Sequence, residues 1–141
     1  YPCGKVFELG DGIIIRTGKL NHPNGACGYR IEFGGKVLAI CTDTEHYEGK
    51  LDEEVLALAD QADVMIYDSA YTEEEYPKFK GWGHSTWQEA LKVAEAANVK
   101  HTFLFHHDPS HNDEKMDQIA KNATEINSNA RPAVEGEEIT L

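Results

Sequence analysis

The sequence predicts an α+β domain, a mixed β-sheet with helices over one face, and three observations carry that reading. Two hairpin patterns open the chain, turning at Gly10-Asp11-Gly12 and at Gly34-Gly35. From Leu51 the rhythm changes to amphipathic helix alternating with short apolar strand. A length of 141 residues with 40% hydrophobic content suits one domain with a real core, residues 1–141, without internal boundary or repeat.

In order, residues 5–9 and 12–17 read as strands, the second through Ile13, Ile14 and Ile15. Asn21-His22-Pro23-Asn24-Gly25 is a loop by composition. Residues 28–33 and 36–41 form the second hairpin, and its last strand runs out into Thr42-Asp43-Thr44. Asp52 is suited to cap a helix whose core face carries Val55, Leu56, Ala59 and Ala62. Residues 63–67 are apolar on both faces and end at Asp68, as a buried strand does. After a polar loop, Ser85 to Gln88 and Thr86 to Glu89 both fit a capping box, followed by Trp87, Leu91, Ala94 and Ala97 at helical spacing. Residues 101–105 are the next strand. A last helix starts near Asn112 or Asp113 with Met116, Ile119, Ala120, Ala123 and Ile126 inward, and residues 134–141 offer a final, weaker strand.

A net charge of −12, from 25 acidic and 13 basic residues, argues against attraction to a nucleic-acid backbone or an anionic membrane. Cys3, Cys27 and Cys41 are an odd number without Cys-x-x-Cys spacing, which favours a reducing, cytoplasmic setting over a disulfide framework. No apolar run approaches the roughly 20 residues of a membrane span, and no signal peptide opens the chain. Tyr1 in place of Met suggests a fragment or a processed product.

Three polar residues follow three strands: Asp43, Asp68 and His106. If those strands are neighbours, their carboxyl ends meet in one crevice. Carboxylate with imidazole suits zinc, manganese or iron; each acid equally suits a cap on the turn that follows it. His84 precedes a helix N-terminus, where the helix dipole opposes its protonation unless an acid such as Asp68 stands nearby. That pairing leaves one ring nitrogen free to move a proton, whereas a bond to a loop carbonyl would make His84 merely structural. His107 and His111 are four apart, but Pro109 between them opposes a helix, so His107, Asp108 and His111 read as loop residues near the site. His22 belongs to a loop able to lean over the crevice and touch substrate. His46 and His101 look ordinary, and Trp82 and Trp87 read as packing residues.

The order of hairpin, strand ending in Thr42-Asp43-Thr44, strand ending in Asp68-Ser69-Ala70, Gly83-His84-Ser85-Thr86, helix, and strand ending in His106 resembles the C-terminal half of a metallo-β-lactamase-fold hydrolase. Within that superfamily it looks most like the branch of ribonuclease Z and the carbon-phosphorus-lyase phosphodiesterase. The resemblance runs from about Val6 to Leu141 and implies one half of an αββα four-layer sandwich. It implies Asp43 as the acid bridging two divalent metal ions, zinc first with manganese or iron as alternatives, and His106 as the last metal ligand. Asp68 with His84 becomes the pair that protonates the leaving group, and His22 borders the substrate.

The departures matter as much. The His-x-His-x-Asp-His signature of the missing N-terminal half occurs nowhere in this chain. His107-Asp108-Pro109 stands where ribonuclease Z continues differently, which together with the acidic charge argues against tRNA processing. The resulting expectation is part of a binuclear metal-dependent hydrolase acting through a metal-bridging hydroxide on a phosphodiester or other small anionic ester. The chain alone is expected to bind metal weakly and to be inactive, with a small-molecule substrate and no nucleic acid or membrane partner. Its open sheet face is expected to be covered by the absent half or by a second copy in a homodimer. The alternative is a non-catalytic fragment or dimerising module that keeps the scaffold.

Overall fold

The computed structural model describes residues 3–141, so the reading drawn from Tyr1 lies outside the described residues. Seven strands form one sheet in sequence order: β1 (Val6–Leu9), β2 (Ile13–Leu20), β3 (Ala26–Phe33), β4 (Lys36–Cys41), β5 (Val64–Asp68), β6 (His101–Phe105) and β7 (Ala130–Pro132). The first four pair antiparallel through tight turns, and β4 to β7 are parallel. Each parallel step needs a crossover, supplied by α1 (Glu53–Ala59), α2 (Trp87–Ala96) and α3 (Asp113–Ile126). Crossovers of one hand between successive neighbours place all three helices on the same face.

Each helix begins where its sequence dictates. Asp52 accepts from the Glu54 amide, Thr86 from that of Glu89 and Asn112 from that of Lys115, satisfying donors that a helix start leaves free. Under the helices lies one core containing Leu20, Cys41, Met65, Tyr67, Leu91, Leu104 and Ile119. Burying a side chain the size of Met65 or Leu104 stabilises the fold by about 2 kcal/mol. All three cysteines are free thiols, and burial pushes that of Cys41 up to about 12.

The structure corrects four details. The final strand is Ala130–Pro132, while residues 134–141 leave the sheet, with Val134 67% exposed. The backbone of Ala130 can pair beside Thr102, and Pro132 sits in this edge strand, where a missing N–H is tolerated. Ile126, at the frayed end of α3, is exposed, and so is Trp82. In α1 Leu58 is buried along with Val55 and Ala59, and Leu56 only half-buried, because Leu58 fills the space over Gly18 and Gly28.

The opposite sheet face is apolar and open. Ile15, Ile31 and Leu38 share one cross-strand row, Ile40 and Ile66 another. These side chains are only half-buried and Phe105 beside them is 45% exposed; no described element covers them. No helix among the described residues is long and apolar enough to cross a membrane.

Candidate metal centre and proton-transfer pair

The parallel register that pairs Cys41 with Tyr67 and Asp68 with Phe105 sets the carboxyl ends of β4, β5 and β6 side by side. Asp43, Asp68 and His106 therefore meet at one end of the sheet. Both Asp43 (φ 59°) and His106 (φ 66°) are left-handed at their strand ends, a conformation that costs a non-glycine residue about 1 kcal/mol or more. Strain of this kind gathers at functional sites, and here it turns both side chains into the crevice: His106 Nε2 lies 3.4 Å from Asp43 Oδ1.

Asp68 is wholly buried and fully engaged. One oxygen accepts from the amides of Ala70 and Ser85 at 3.3 and 3.1 Å. The other accepts from the Thr44 amide at 3.3 Å and from His84 Nδ1 at 2.8 Å. The hydrogen bond to Asp68 raises the pKa of His84 against the opposing effect of burial. With Nδ1 held, His84 Nε2 is the nitrogen left to exchange a proton. The His84 and His106 rings lie 4.6 Å apart between centroids, which brings the pair beside Asp43 and His106.

His22 closes the crevice from the side, its ring centroid 5.6 Å from that of His84. This approach explains Gly83, whose φ is 94° and where an added Cβ would stand 2.2 Å from the His22 ring. The Asn24 amide donates to His22 Nδ1 at 3.2 Å, so the neutral ring carries its proton on Nε2.

The donor set suits a divalent metal. Ligand atoms of His22, Asp43 and His84 lie within 4.8 Å of one another, as do those of Asp68, His84 and His106. Imidazole with carboxylate is the ordinary chemistry of zinc, manganese and iron sites. Asp68 and His84 satisfy each other, whereas Asp43 and His106 retain oxygens and nitrogens facing the crevice.

Two residues escaped the sequence reading. Glu45 is buried and accepts from Tyr76 Oη at 2.7 Å and from the amides of Gly81 and Gly83 at 2.8 and 2.9 Å. Burial works to raise its pKa, but these donors outweigh it and hold Glu45 ionised below the usual carboxylate range. His46 is not an ordinary turn residue: its Nδ1 lies 2.9 Å from Ser85 Oγ, its ring lies tilted against Tyr76 with centroids 4.2 Å apart, and burial lowers its pKa. The available signal was position, since Glu45 and His46 lie two and three residues beyond Asp43 and Gly81 and Gly83 just precede His84. His107 Nε2 donates to the Leu104 carbonyl and His111 pairs with Glu75, so both serve the loop after β6.

Comparison with known proteins accords with this geometry. Residues 4–107 match the family model of the beta-lactamase superfamily domain. Ribonuclease Z of Bacillus cereus (strain G9842) is 26% identical over 132 residues, covering 94% of this chain and 39% of that protein. The metallo-β-lactamase fold protein YhfI of Bacillus subtilis superposes with a TM-score of 0.80 at 19% identity, covering 97% of this chain and 52% of YhfI. Human tRNase Z, short form, gives 0.70 at 18% identity over 95% of this chain and 45% of its own. The chain thus spans about two fifths of the length of the curated relatives it matches.

The ribonuclease Z and tRNase Z relatives overturn the expectation of a small-molecule substrate and no nucleic acid, since both are ribonucleases by name. The net charge misled because it sums over the whole surface, whereas a phosphate is bound by charge placed locally in a crevice. The matched family model spans the hairpins, both left-handed strand ends and the Asp68–His84 pair, and the superpositions extend the same fold over the rest. The chain belongs to the beta-lactamase superfamily domain family, with a metallo-β-lactamase fold and its sequence relatives in ribonuclease Z.

Proposed function

We propose that this chain is the C-terminal half of a binuclear metal-dependent phosphodiesterase whose substrate is an RNA phosphodiester. The observation that carries the proposal is the Asp68–His84 pair, 2.8 Å apart, set beside Asp43 and His106 at a common strand end. The ribonuclease Z relatives support the substrate class, and the open apolar sheet face supports a second half in the full-length protein.

Asp43 and His106 would hold the metal ions from this side, and their carboxylate and imidazole donors would accommodate zinc, manganese or iron. When bound, such ions draw charge from the phosphate oxygens and lower the pKa of an attacking water. His22 offers its Nε2–H to a non-bridging phosphate oxygen and so orients the substrate. As the bond from phosphorus to the leaving oxygen breaks, His84 Nε2 passes its proton to that oxygen, and Asp68 stabilises the imidazolium that donates it. Two protein ligands fall short of the three or four a metal site needs, so the remaining ligands are assigned to the N-terminal part of the full-length protein.

The test is Asp43→Ala in the full-length protein. Metal-dependent hydrolysis of an RNA phosphodiester should fall to background, and chelation should do the same to the unmodified enzyme. Hydrolysis that survives both removes Asp43 and the metal from the mechanism. No hydrolysis by the unmodified, metal-loaded protein would favour a non-catalytic module.

A further inference from the structure

We infer that Glu45 is a positioning residue that fixes both His84 and His22 against Asp43, an inference that rests on the proposed function for its kinetic consequence. The side chain and the backbone of Glu45 reach in different directions. The carboxylate takes the amides of Gly81 and Gly83, at 2.8 and 2.9 Å, and so holds the two glycines preceding His84. Both have positive φ, 87° and 94°, and neither carries a side chain that packing elsewhere might anchor. Without a buried acceptor this segment would have little to define its path. The Glu45 main chain meanwhile clasps Asn21: its amide donates to the Asn21 carbonyl at 2.8 Å, and Asn21 Nδ2 donates back to the Glu45 carbonyl at 2.8 Å. Asn21 directly precedes His22.

One residue, two positions beyond Asp43, therefore ties the His22 loop and the His84 loop to the strand end that carries Asp43. His46 adds a contact on the far side of His84, through Ser85 Oγ at 2.9 Å. The Glu45 carboxylate is spent on Tyr76 and the loop amides, so it needs no part in the reaction. Proton delivery is sensitive to small displacements of the donor, and a misplacement of about 1 Å costs roughly 100-fold in rate.

The pattern of donors predicts which substitution is tolerated. A glutamine at position 45 with its oxygen in the place of Oε2 keeps the amides of Gly83 at 2.9 Å and Gly81 at 3.0 Å and gives up only the second Gly81 contact, to Oε1, its NH2 turning to Tyr76 Oη, which can accept as well as donate. Alanine makes none of these bonds. In the full-length protein with an RNA phosphodiester, whose leaving oxygen needs the proton, Glu45→Ala should lower kcat about 100-fold with KM changed by less than about threefold, and Glu45→Gln should restore most of it. In the metal-free protein carrying ¹⁵N-labelled histidine, the Nδ1–H resonance of His84 bonded to Asp68 should persist in Glu45→Gln and be lost in Glu45→Ala.

A Glu45→Ala variant that keeps both kcat and that resonance overturns the inference. So does a folded Glu45→Gln as impaired as Glu45→Ala, because that would assign the role to the charge. Amide exchange on the unmodified protein needs no variant to fold: the Gly81 and Gly83 amides should be as protected as that of Ser85, and free exchange at either refutes the clamp. Should the unmodified protein fail to cleave phosphodiesters, the proposed function falls while the resonance and the exchange still decide the role of Glu45.

Discussion

At the scale of the residue, His84 is defined by what holds each side of its ring. Asp68, out of solvent and bonded to three backbone amides, has no freedom to follow His84, so the ring is oriented by a fixed acceptor. A histidine held so is suited to donate a proton, and its contribution depends on how much the leaving oxygen needs one. His84→Ala should therefore slow hydrolysis of an RNA phosphodiester by about 10²- to 10⁴-fold. With a p-nitrophenolate leaving group, which departs without protonation, the same substitution should cost far less. Equal losses on the two substrates, measured as kcat, would remove proton donation from the role of His84. Glu45 belongs to this scale too, as a buried carboxylate whose partners are other residues' amides.

At the scale of the element, α1 packs closely onto the hairpins, over Gly18 and Gly28. Gly28 in β3 lies under Leu58, where an added Cβ would come within 2.6 Å of Leu58 Cδ1 and 3.0 Å of Leu20 Cδ2. Leu58 is 4% exposed and cannot retreat into solvent without leaving the core. Gly28→Ala should therefore destabilise the protein by about 1–3 kcal/mol in urea unfolding. Combined with Leu58→Ala, the two losses should sum to less than their separate values, since the clash is removed along with the side chain. Strict additivity would mean that the two residues do not meet. The hairpins have this close approach because β2 and β3 pair Gly18 with Gly28, leaving a channel free of side chains for Leu58.

At the scale of the whole molecule, the two ends of the sheet do different work. At the end opposite the crevice, Asp63 accepts from the Val37 amide at 2.9 Å and from Lys100 Nζ at 2.8 Å, joining the starts of β4, β5 and β6. The Lys100 ammonium, with the Val37 amide, holds the Asp63 carboxyl down at about 2. A carboxyl lowered on folding stabilises the fold fully above its ordinary range near pH 4, and the contribution is lost as pH falls from about 4 to about 2. With the lysine head exposed, the contribution is about 1–2 kcal/mol. Asp63→Asn should leave a flatter dependence of unfolding free energy on pH across that window; an unchanged slope would show that other carboxyls govern acid stability. The crevice end, in contrast, gathers Asp43, His22, His84 and His106. The bare apolar face between the ends is where the proposed second half would pack.

Local chemistry made much of this legible in advance. The 36–41 strand, the caps Asp52, Thr86 and Asn112, and the Asp43, Asp68 and His106 strand ends follow from patterns confined to a few neighbouring residues. Such patterns were weaker near the C-terminus, where residues 134–141 alternate well enough for a strand but β6 is already paired by Ala130–Pro132. The sequence by itself determined the fold class and the strand ends that carry Asp43, Asp68 and His106, because periodicity and capping are local, but left open whether those strands are neighbours. Only the tertiary structure decided that Glu45 faces the Gly81 and Gly83 amides, that His46 meets Ser85 and that Leu58 fills the space over Gly28. Those contacts join residues 30 or more positions apart, and which distant donors a buried carboxylate meets is set by packing, which leaves no period in the sequence to read.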